Sequence, residues 1–384
     1  MIIRFAHSIP AFFYLLFFFT PLIFITKTSE IFEFNKMVFV YASTVIIVTA
    51  WAIRMILVKK IIFRRTLLDI PLLLFLASQI LSTIFSLDTR TSIFGYYYRF
   101  NGGLLSIITY CLLYWAYVSN LSKENTKKVI YSLLASAYLV SAYAFLQRIG
   151  VDKDFWDQDV QSRVFATFGQ PNWLAAWIAT LVPLTWVYIF FNLRDKKFWL
   201  SLGLFLLFFL TILFTKSRSG LLGLTFSYII FWGTLLFIKG KKVLKHFVLL
   251  TSLIFLVTLF VGTPWTPSGP EALLRTSRFS EPEVRAGGRK IPANEAATSS
   301  PSDPGGTESG EIRKIVWKGA IKIWQFYPIF GSGVETFAYS YPNFKPPEHN
   351  LTSEWEYTYN KAHNEYLNYA ATTGTFGLMT YLIL

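Results

Sequence analysis

Long apolar stretches alternate with short polar connections over the first two thirds of the chain. Each apolar run is close to the twenty or so residues that a helix needs to cross a bilayer. The runs are continuous and do not alternate with a period of two, which favours helices over the strands of a membrane barrel. We predict about ten spans, at residues 8–26, 37–58, 67–86, 104–119, 129–147, 174–192, 198–215, 220–238, 246–262 and 366–384. The predicted fold class is an all-α membrane protein, a polytopic transmembrane helix bundle.

The polar remainder of the sequence predicts a large loop before the last span. The predicted segments are an N-terminal transmembrane bundle of about nine spans at 1–262, a disordered part of the loop at 263–310, a helical part of the loop at 311–365, and the start of a further transmembrane helix at 366–384, where the chain is cut. The disorder prediction rests on a Pro-, Gly- and Ser-rich composition that cannot bury a core. The helical prediction rests on Ile312, Val316 and Ile323, which recur at helical spacing.

Composition and charge support a membrane protein and give it an orientation. Hydrophobic residues make up 53% of the chain and the formal net charge is +14. The basic residues gather in alternate short loops, so we attribute the charge to membrane topology and expect no nucleic-acid partner. The positive-inside rule places those loops and the N-terminus in the cytoplasm and the 263–365 loop outside it. The loops in question contain Lys59, Lys60, Arg64, Arg65, Lys123, Lys127, Lys128, Arg194, Lys196, Lys197, Lys239, Lys241, Lys242 and Lys245.

Cofactor and metal motifs are absent from the sequence. The one cysteine, Cys111, allows neither an intrachain disulfide nor a thiolate metal site. There is no Walker loop, GxGxxG, HExxH or CxxC pattern. We therefore expect no cofactor and no metal.

His363 is the candidate catalytic residue. It lies at the end of the large loop, at the predicted start of the last helix, and Asn364 and Glu365 follow it as supporting residues. A general base has to be a titratable group where water-borne and lipid-borne substrates meet. A lone histidine is more often structural, and His349, in a Pro-rich turn, is the rival.

Three arginines on the outer side are candidates for binding a diphosphate. Arg218 lies in a short turn between two spans, flanked by Ser217 and Ser219 as additional donors, and Arg163 and Arg99 each precede a span. A guanidinium presents a permanently charged fork of donors that matches phosphate oxygens. The alternative for Arg218 is an arginine that extends to the membrane surface from a helix end. The aromatic residues near Arg99 and Arg163 fit either a sugar-binding site or an interfacial belt.

Four segments of the chain resemble the O-antigen ligase and O-antigen polymerase superfamily of bacterial membrane proteins. His363 and Gly374 reproduce a His-x10-Gly spacing, and Arg218 with Leu222 fits an Arg-x3-Leu pattern. The helix number, the topology and the late outer loop agree as well. The segments are residues 163–172 followed by Leu174 and Ala175, residues 215–220, residues 329–337, and residues 362–367 followed by Gly374 and Gly377.

The resemblance implies a metal-independent, inverting glycosyltransferase on the outer face of the bacterial inner (cytoplasmic) membrane. The donor would be a glycan on undecaprenyl diphosphate, and the acceptor a lipid A core sugar, another glycan or a protein hydroxyl. His363 would be the base, and Arg218, Arg163 and Arg99 would hold the diphosphate. A polysaccharide polymerase and a protein O-glycosylation ligase remain alternatives within this class. The alternatives from other classes are a solute transporter, for example of bicarbonate, and a receptor or scaffold.

Overall fold

A computed structural model of the chain describes residues 2–97, 99–191, 196–269 and 309–384. In these residues the chain forms helices and no β-strand beyond an isolated bridge between Thr263 and Thr266, which confirms the all-α fold class. Residues 270–308, most of the segment predicted to be disordered, lie outside the described residues. The α-helices are α1 (Ile2–His7), α2 (Ile9–Phe19), α3 (Glu33–Val58), α4 (Asp69–Ile84), α5 (Thr89–Phe94), α6 (Leu104–Asn120), α7 (Lys123–Arg148), α8 (Pro171–Phe191), α9 (Lys196–Phe214), α10 (Arg218–Lys239), α11 (Lys241–Val261), α12 (Ser309–Phe326), α13 (Phe337–Phe344) and α14 (Glu365–Ile383).

Six of these helices are long and apolar enough to cross a membrane, namely α3 and the five helices α7 to α11. They correspond to six of the predicted spans. Three other predicted spans are apolar but shorter, since α2, α4 and α6 have 11, 16 and 17 residues. At 1.5 Å per residue, α2 is about 16 Å long, against a hydrocarbon core of about 30 Å. Of the roughly ten predicted spans, six therefore correspond to helices that are long and apolar enough to cross a membrane.

The last predicted span, 366–384, is an interrupted helix. α14 begins at Glu365 and ends at Ile383, but Gly374 inside it has non-helical dihedral angles, φ 68° and ψ −170°. Several of its buried residues are polar, and the Thr380 hydroxyl donates to the Ser78 hydroxyl of α4 at 2.9 Å. α14 thus packs against α4 through small polar side chains. These side chains lower the mean hydropathy of α14, which is not among the six candidate spans.

The chain divides into two compact units. Unit 1 consists of Met1–Phe13, Thr28–Ser122 and Gly287–Leu384, and unit 2 of Tyr14–Lys27 and Lys123–Ala286. The predicted segment boundaries at 262, 310 and 365 stay predictions.

The loop part of unit 1 has its own apolar core. Ile312, Val316, Ala320 and Ile323 of α12 are buried at helical spacing, and they pack with residues of α13 and α14. Burying an Ile or Val side chain contributes about 1.5–3 kcal/mol. The apolar face of this amphipathic helix is therefore covered by protein, and its position in the loop is fixed.

Unit 2 is a bundle in which α8 and α9 make the most extensive helix contact. Trp186 of α8 is fully buried and meets Tyr228 of α10 edge-on, with ring centroids 5.3 Å apart, and Phe205 of α9 at 6.5 Å. Aromatic pairs of this kind stabilise a core beyond the area that they bury. The bundle holds the ends of α8 and α10, where the candidate phosphate-binding residues lie.

Candidate functional site

His363 lies in a tight turn immediately before α14. Its backbone has a left-handed φ of 52°, which is uncommon for a residue with a side chain. Asn364 caps the helix by accepting the Leu367 N–H at 3.2 Å, and Asn368 accepts the Ala362 N–H at 3.2 Å. Two amide side chains thus fix the turn on both sides of His363, and the imidazole is presented at the surface.

The environment of His363 favours the neutral imidazole. One face of the ring meets Tyr359 edge-on, with centroids 5.7 Å apart. This partial burial lowers the pKa of His363, the Arg313 and Arg99 guanidiniums lower it further, and the Glu354 carboxylate opposes them. A neutral imidazole is the form that accepts a proton.

Arg99 is paired with the Glu33 carboxylate of unit 1, which an amide side chain also contacts. Its Nε lies 3.7 Å from Glu33 Oε1, and Asn101 donates to Glu33 Oε2 at 2.8 Å. Arg99 is also one of the two arginines whose charge acts on His363. Unit 1 therefore contains one predicted diphosphate-binding residue together with the predicted base.

A cavity of about 420 Å³ in unit 1 is lined by polar side chains from the same loops. They include Glu365, which the sequence predicted as a supporting residue, and Glu335. Glu335 Oε1 lies 3.2 Å from Lys361 Nζ. Burial lowers the pKa of Lys361, but the Glu335 and Glu365 carboxylates outweigh burial, so the net pKa is raised.

Gly374, another predicted supporting residue, makes a close backbone contact. A Cβ there would lie 2.3 Å from Ile329 O, and one at Gly331 would lie 2.2 Å from the Thr372 carbonyl carbon. Ser332 N donates to Ala371 O at 3.0 Å and Thr375 N donates to Pro328 O at 2.8 Å. The His-x10-Gly spacing therefore places a helix break where the segment 328–333 crosses α14.

His349 is excluded as an accessible base by its burial. The side chain is fully buried, and its Nδ1 lies 2.6 Å from Tyr341 Oη. Burial, followed by the Lys345 charge, lowers its pKa. Its ring also meets Tyr359 edge-on at 5.2 Å, so it supports the residue that contacts His363.

In unit 2, Arg163 and the turn at 215–220 lie together. Arg163 Nε donates to Thr215 O at 3.1 Å, and burial lowers the pKa of Arg163. Ser217 is buried and caps α10 by accepting the Gly220 N–H at 3.1 Å, while Arg218 and Ser219 are exposed. The turn therefore offers a helix N-terminus, one exposed guanidinium and one exposed hydroxyl, a combination suited to an anion.

A polar cavity of about 380 Å³ borders Arg163. It is also lined by Gln158, Asp159, Ser162, Gln170, Pro171 and Asn172.

The structure brings the predicted site residues into two groups. Arg163, Ser217, Arg218 and Ser219 belong to unit 2, and the remaining ones, Arg99, His363, Asn364, Glu365 and Gly374, belong to unit 1. The convergence of three arginines on one diphosphate stays a prediction. Within the described ranges, no group of three His, Cys, Asp or Glu residues could hold a metal ion.

Sequence reasoning missed four charged residues of the candidate site. Arg313 and Glu354 act on His363, and Glu335 and Lys361 pair with each other. Arg313 lies on the polar face of a helix that the sequence did predict, and Glu335 belongs to a segment that carried the family resemblance. Their positions depend on contacts between distant parts of the chain, which no local pattern encodes.

Comparison with known proteins supports the resemblance inferred from the sequence. Residues 202–382 match the family model described as O-antigen ligase. This range includes Arg218, Glu335, His363 and Gly374. No curated protein matches the chain. This match confirms the predicted resemblance to the O-antigen ligase superfamily.

Proposed function

We propose that this protein transfers a glycan from undecaprenyl diphosphate to an acceptor hydroxyl on the outer face of the bacterial inner membrane. The observation that carries the proposal is the placement of His363, presented at a helix start with its pKa lowered and with Arg99 and Arg313 acting on it. A base flanked by fixed cations suits a reaction in which a proton is removed while an anion leaves.

The proposed step is a displacement at the anomeric carbon of the donor sugar. The acceptor oxygen forms a bond to that carbon on the face opposite the diphosphate, so the configuration inverts. The bond from the anomeric carbon to the phosphate oxygen breaks, and undecaprenyl diphosphate leaves with the electron pair. His363 accepts the proton of the acceptor hydroxyl.

The arginines have a different task from the base. A diphosphate gains negative charge as it departs, and permanently charged guanidiniums stabilise that charge without a metal ion. Arg218 and Arg163 are proposed to bind the diphosphate, supported by Ser219 and the N-terminus of α10, and Arg99 is proposed as a further diphosphate-binding residue.

Reconstitution tests this function directly. The purified protein is placed in liposomes with a glycan on undecaprenyl diphosphate and, in separate samples, a lipid A core, a free glycan and a protein acceptor. We expect product with one acceptor class, with inverted anomeric configuration and in the presence of a chelator. Elongation of the donor glycan itself would identify a polymerase. Absence of transfer to every acceptor, with solute uptake into the liposomes, would contradict the proposal in favour of a transporter.

A further inference from the structure

One buried carboxylate, Glu335, joins three segments of unit 1. It follows the turn at 331–333, only 9% of its surface is exposed, and its backbone has a left-handed φ of 58°. Its Oε1 lies 3.2 Å from Lys361 Nζ. Lys361 is two residues before His363, so the ion pair connects the 331–335 segment to the turn that presents the imidazole.

The same carboxylate lies against the segment of Arg99. A Cβ added at Gly102 would lie 2.3 Å from Glu335 Oε1 and 2.5 Å from its Cδ. Gly102 is three residues after Arg99, so Glu335 packs on the backbone that carries this arginine.

Fold stability is a poor explanation for this arrangement. A left-handed residue with a side chain costs free energy, and such strain concentrates at functional sites. An ion pair taken out of water rarely gives a net gain, because desolvation offsets the attraction. The pair Lys318–Glu348 shows the contrast, since its groups lie 3.7 Å apart and both side chains are more than half exposed. In the Glu335–Lys361 pair, by contrast, the Glu335 carboxylate is buried and its backbone is strained, and Lys361 lies two residues before the candidate base.

We propose that Glu335 is a positioning residue, which fixes the His363 turn through Lys361 and the Arg99 segment through Gly102. The inference rests on the proposed function of His363 as the base. Glu335 itself touches no reacting atom. It holds the imidazole and the guanidinium in one geometry, and a misplacement of about 1 Å is sufficient to cost on the order of 100-fold in rate.

The test begins with Glu335→Gln, which keeps the shape of the side chain and removes its charge. We expect kcat to fall roughly 10–100-fold, as for other residues that orient a catalytic group. The KM for the donor lipid should rise by a smaller factor than kcat falls, because only the Arg99 contact is disturbed and the proposed contacts of Arg163 and Arg218 are unaltered. The double variant Glu335→Gln with Lys361→Gln should recover part of the loss, since it leaves no unpaired buried charge. The control is Glu348→Gln, which breaks the exposed pair and should leave kcat unchanged.

A mutant cycle with His363→Ala distinguishes positioning from a general structural role. Because Glu335 is proposed to act through His363 as well as through the Arg99 segment, Glu335→Gln should cost a clearly smaller fold-loss in the His363→Ala background than in the wild type. An equal fold-loss in both backgrounds, or wild-type kcat in Glu335→Gln, would overturn the inference. Wild-type activity of His363→Ala would instead overturn the proposed function.

A second variant and a stability measurement keep the inference testable if Glu335→Gln folds poorly. Lys361→Gln removes the partner and should reproduce the loss of kcat; it leaves the Glu335 carboxylate unpaired and should lower the melting temperature, so kcat is compared at a temperature at which both variants remain folded. If both variants unfold, or if their donor binding falls in parallel with kcat, Glu335 is a structural residue and the inference is wrong.

Discussion

The pKa of His363 is set by the partial burial of its ring and then by three charged side chains. Arg313 and Arg99 lower its pKa in addition to partial burial, and Glu354 raises it. The balance favours the neutral base, so the protonated form becomes dominant only below the ordinary histidine pKa of 6.5. The rate should consequently be lost as the pH falls through a midpoint below that value.

Two substitutions should move this midpoint in opposite directions. Arg313→Gln removes a neighbouring cation, so the pKa of His363 should rise and the acidic limb of kcat/KM should shift to higher pH. Glu354→Gln removes the opposing anion and should shift the limb to lower pH. Profiles of kcat/KM against pH for the two variants check this. Shifts of the same sign, or none, would mean that His363 is not the group that titrates.

Arg218 is exposed at the start of α10, and its role depends on a bound anion. Arg218→Lys keeps the charge and loses the fork of donors. We expect weaker donor binding for Lys and weaker still for Ala, with normal expression of both. Binding of a fluorescent undecaprenyl diphosphate analogue measures the difference. The same affinity in all three proteins would identify Arg218 as an arginine that merely extends to the membrane surface.

At the scale of elements, hydropathy predicted the long apolar helices and did not predict the break in a helix that packs through polar residues. The bounds of α8, α9 and α10 lie within a few residues of the predicted spans. The break in α14 could not be predicted, because it depends on Gly374 meeting the backbone of Ile329. The pairing of Glu335 with Lys361 likewise joins residues whose separation in sequence carries no signal. The start of the last helix close to His363 was predicted from hydropathy, but the left-handed turn at His363 and the Asn364 cap were not.

Gly374→Ala tests the crossing of segment 328–333 over α14. A side chain at φ 68° costs about 1–3 kcal/mol in backbone strain, and its Cβ would also meet Ile329 O at 2.3 Å. We expect a lower melting temperature in detergent and weaker transfer. The control is Gly223→Ala in α10, where an added Cβ meets nothing within 4 Å and alanine favours the helix. A normal melting temperature for Gly374→Ala would mean that this backbone contact is not formed.

At the scale of the whole molecule, the account requires that the large loop lies outside the cytoplasm. The orientation rests on the basic loops and stays a prediction. Cys111 is buried, and replacing it with Ala gives a background for labelling. A cysteine at Ser302 should react with a membrane-impermeant thiol reagent in cells with a permeabilised outer barrier, and one at Lys241 should not. The reverse pattern would invert the topology and place His363 on the wrong side for a donor at the outer face.

The rate of transfer by His363 variants is the most direct test of the central claim. Initial rates of product formation are measured in liposomes that contain the donor lipid and the acceptor that the reconstitution identifies. Donor binding is measured in parallel. His363→Ala should lose roughly 10²–10⁴-fold in rate and keep its affinity for the donor, and His363→Gln should be similarly impaired because an amide is not a base. The control His7→Ala removes an exposed histidine of α1 and should be fully active. Full activity of His363→Ala would contradict the account.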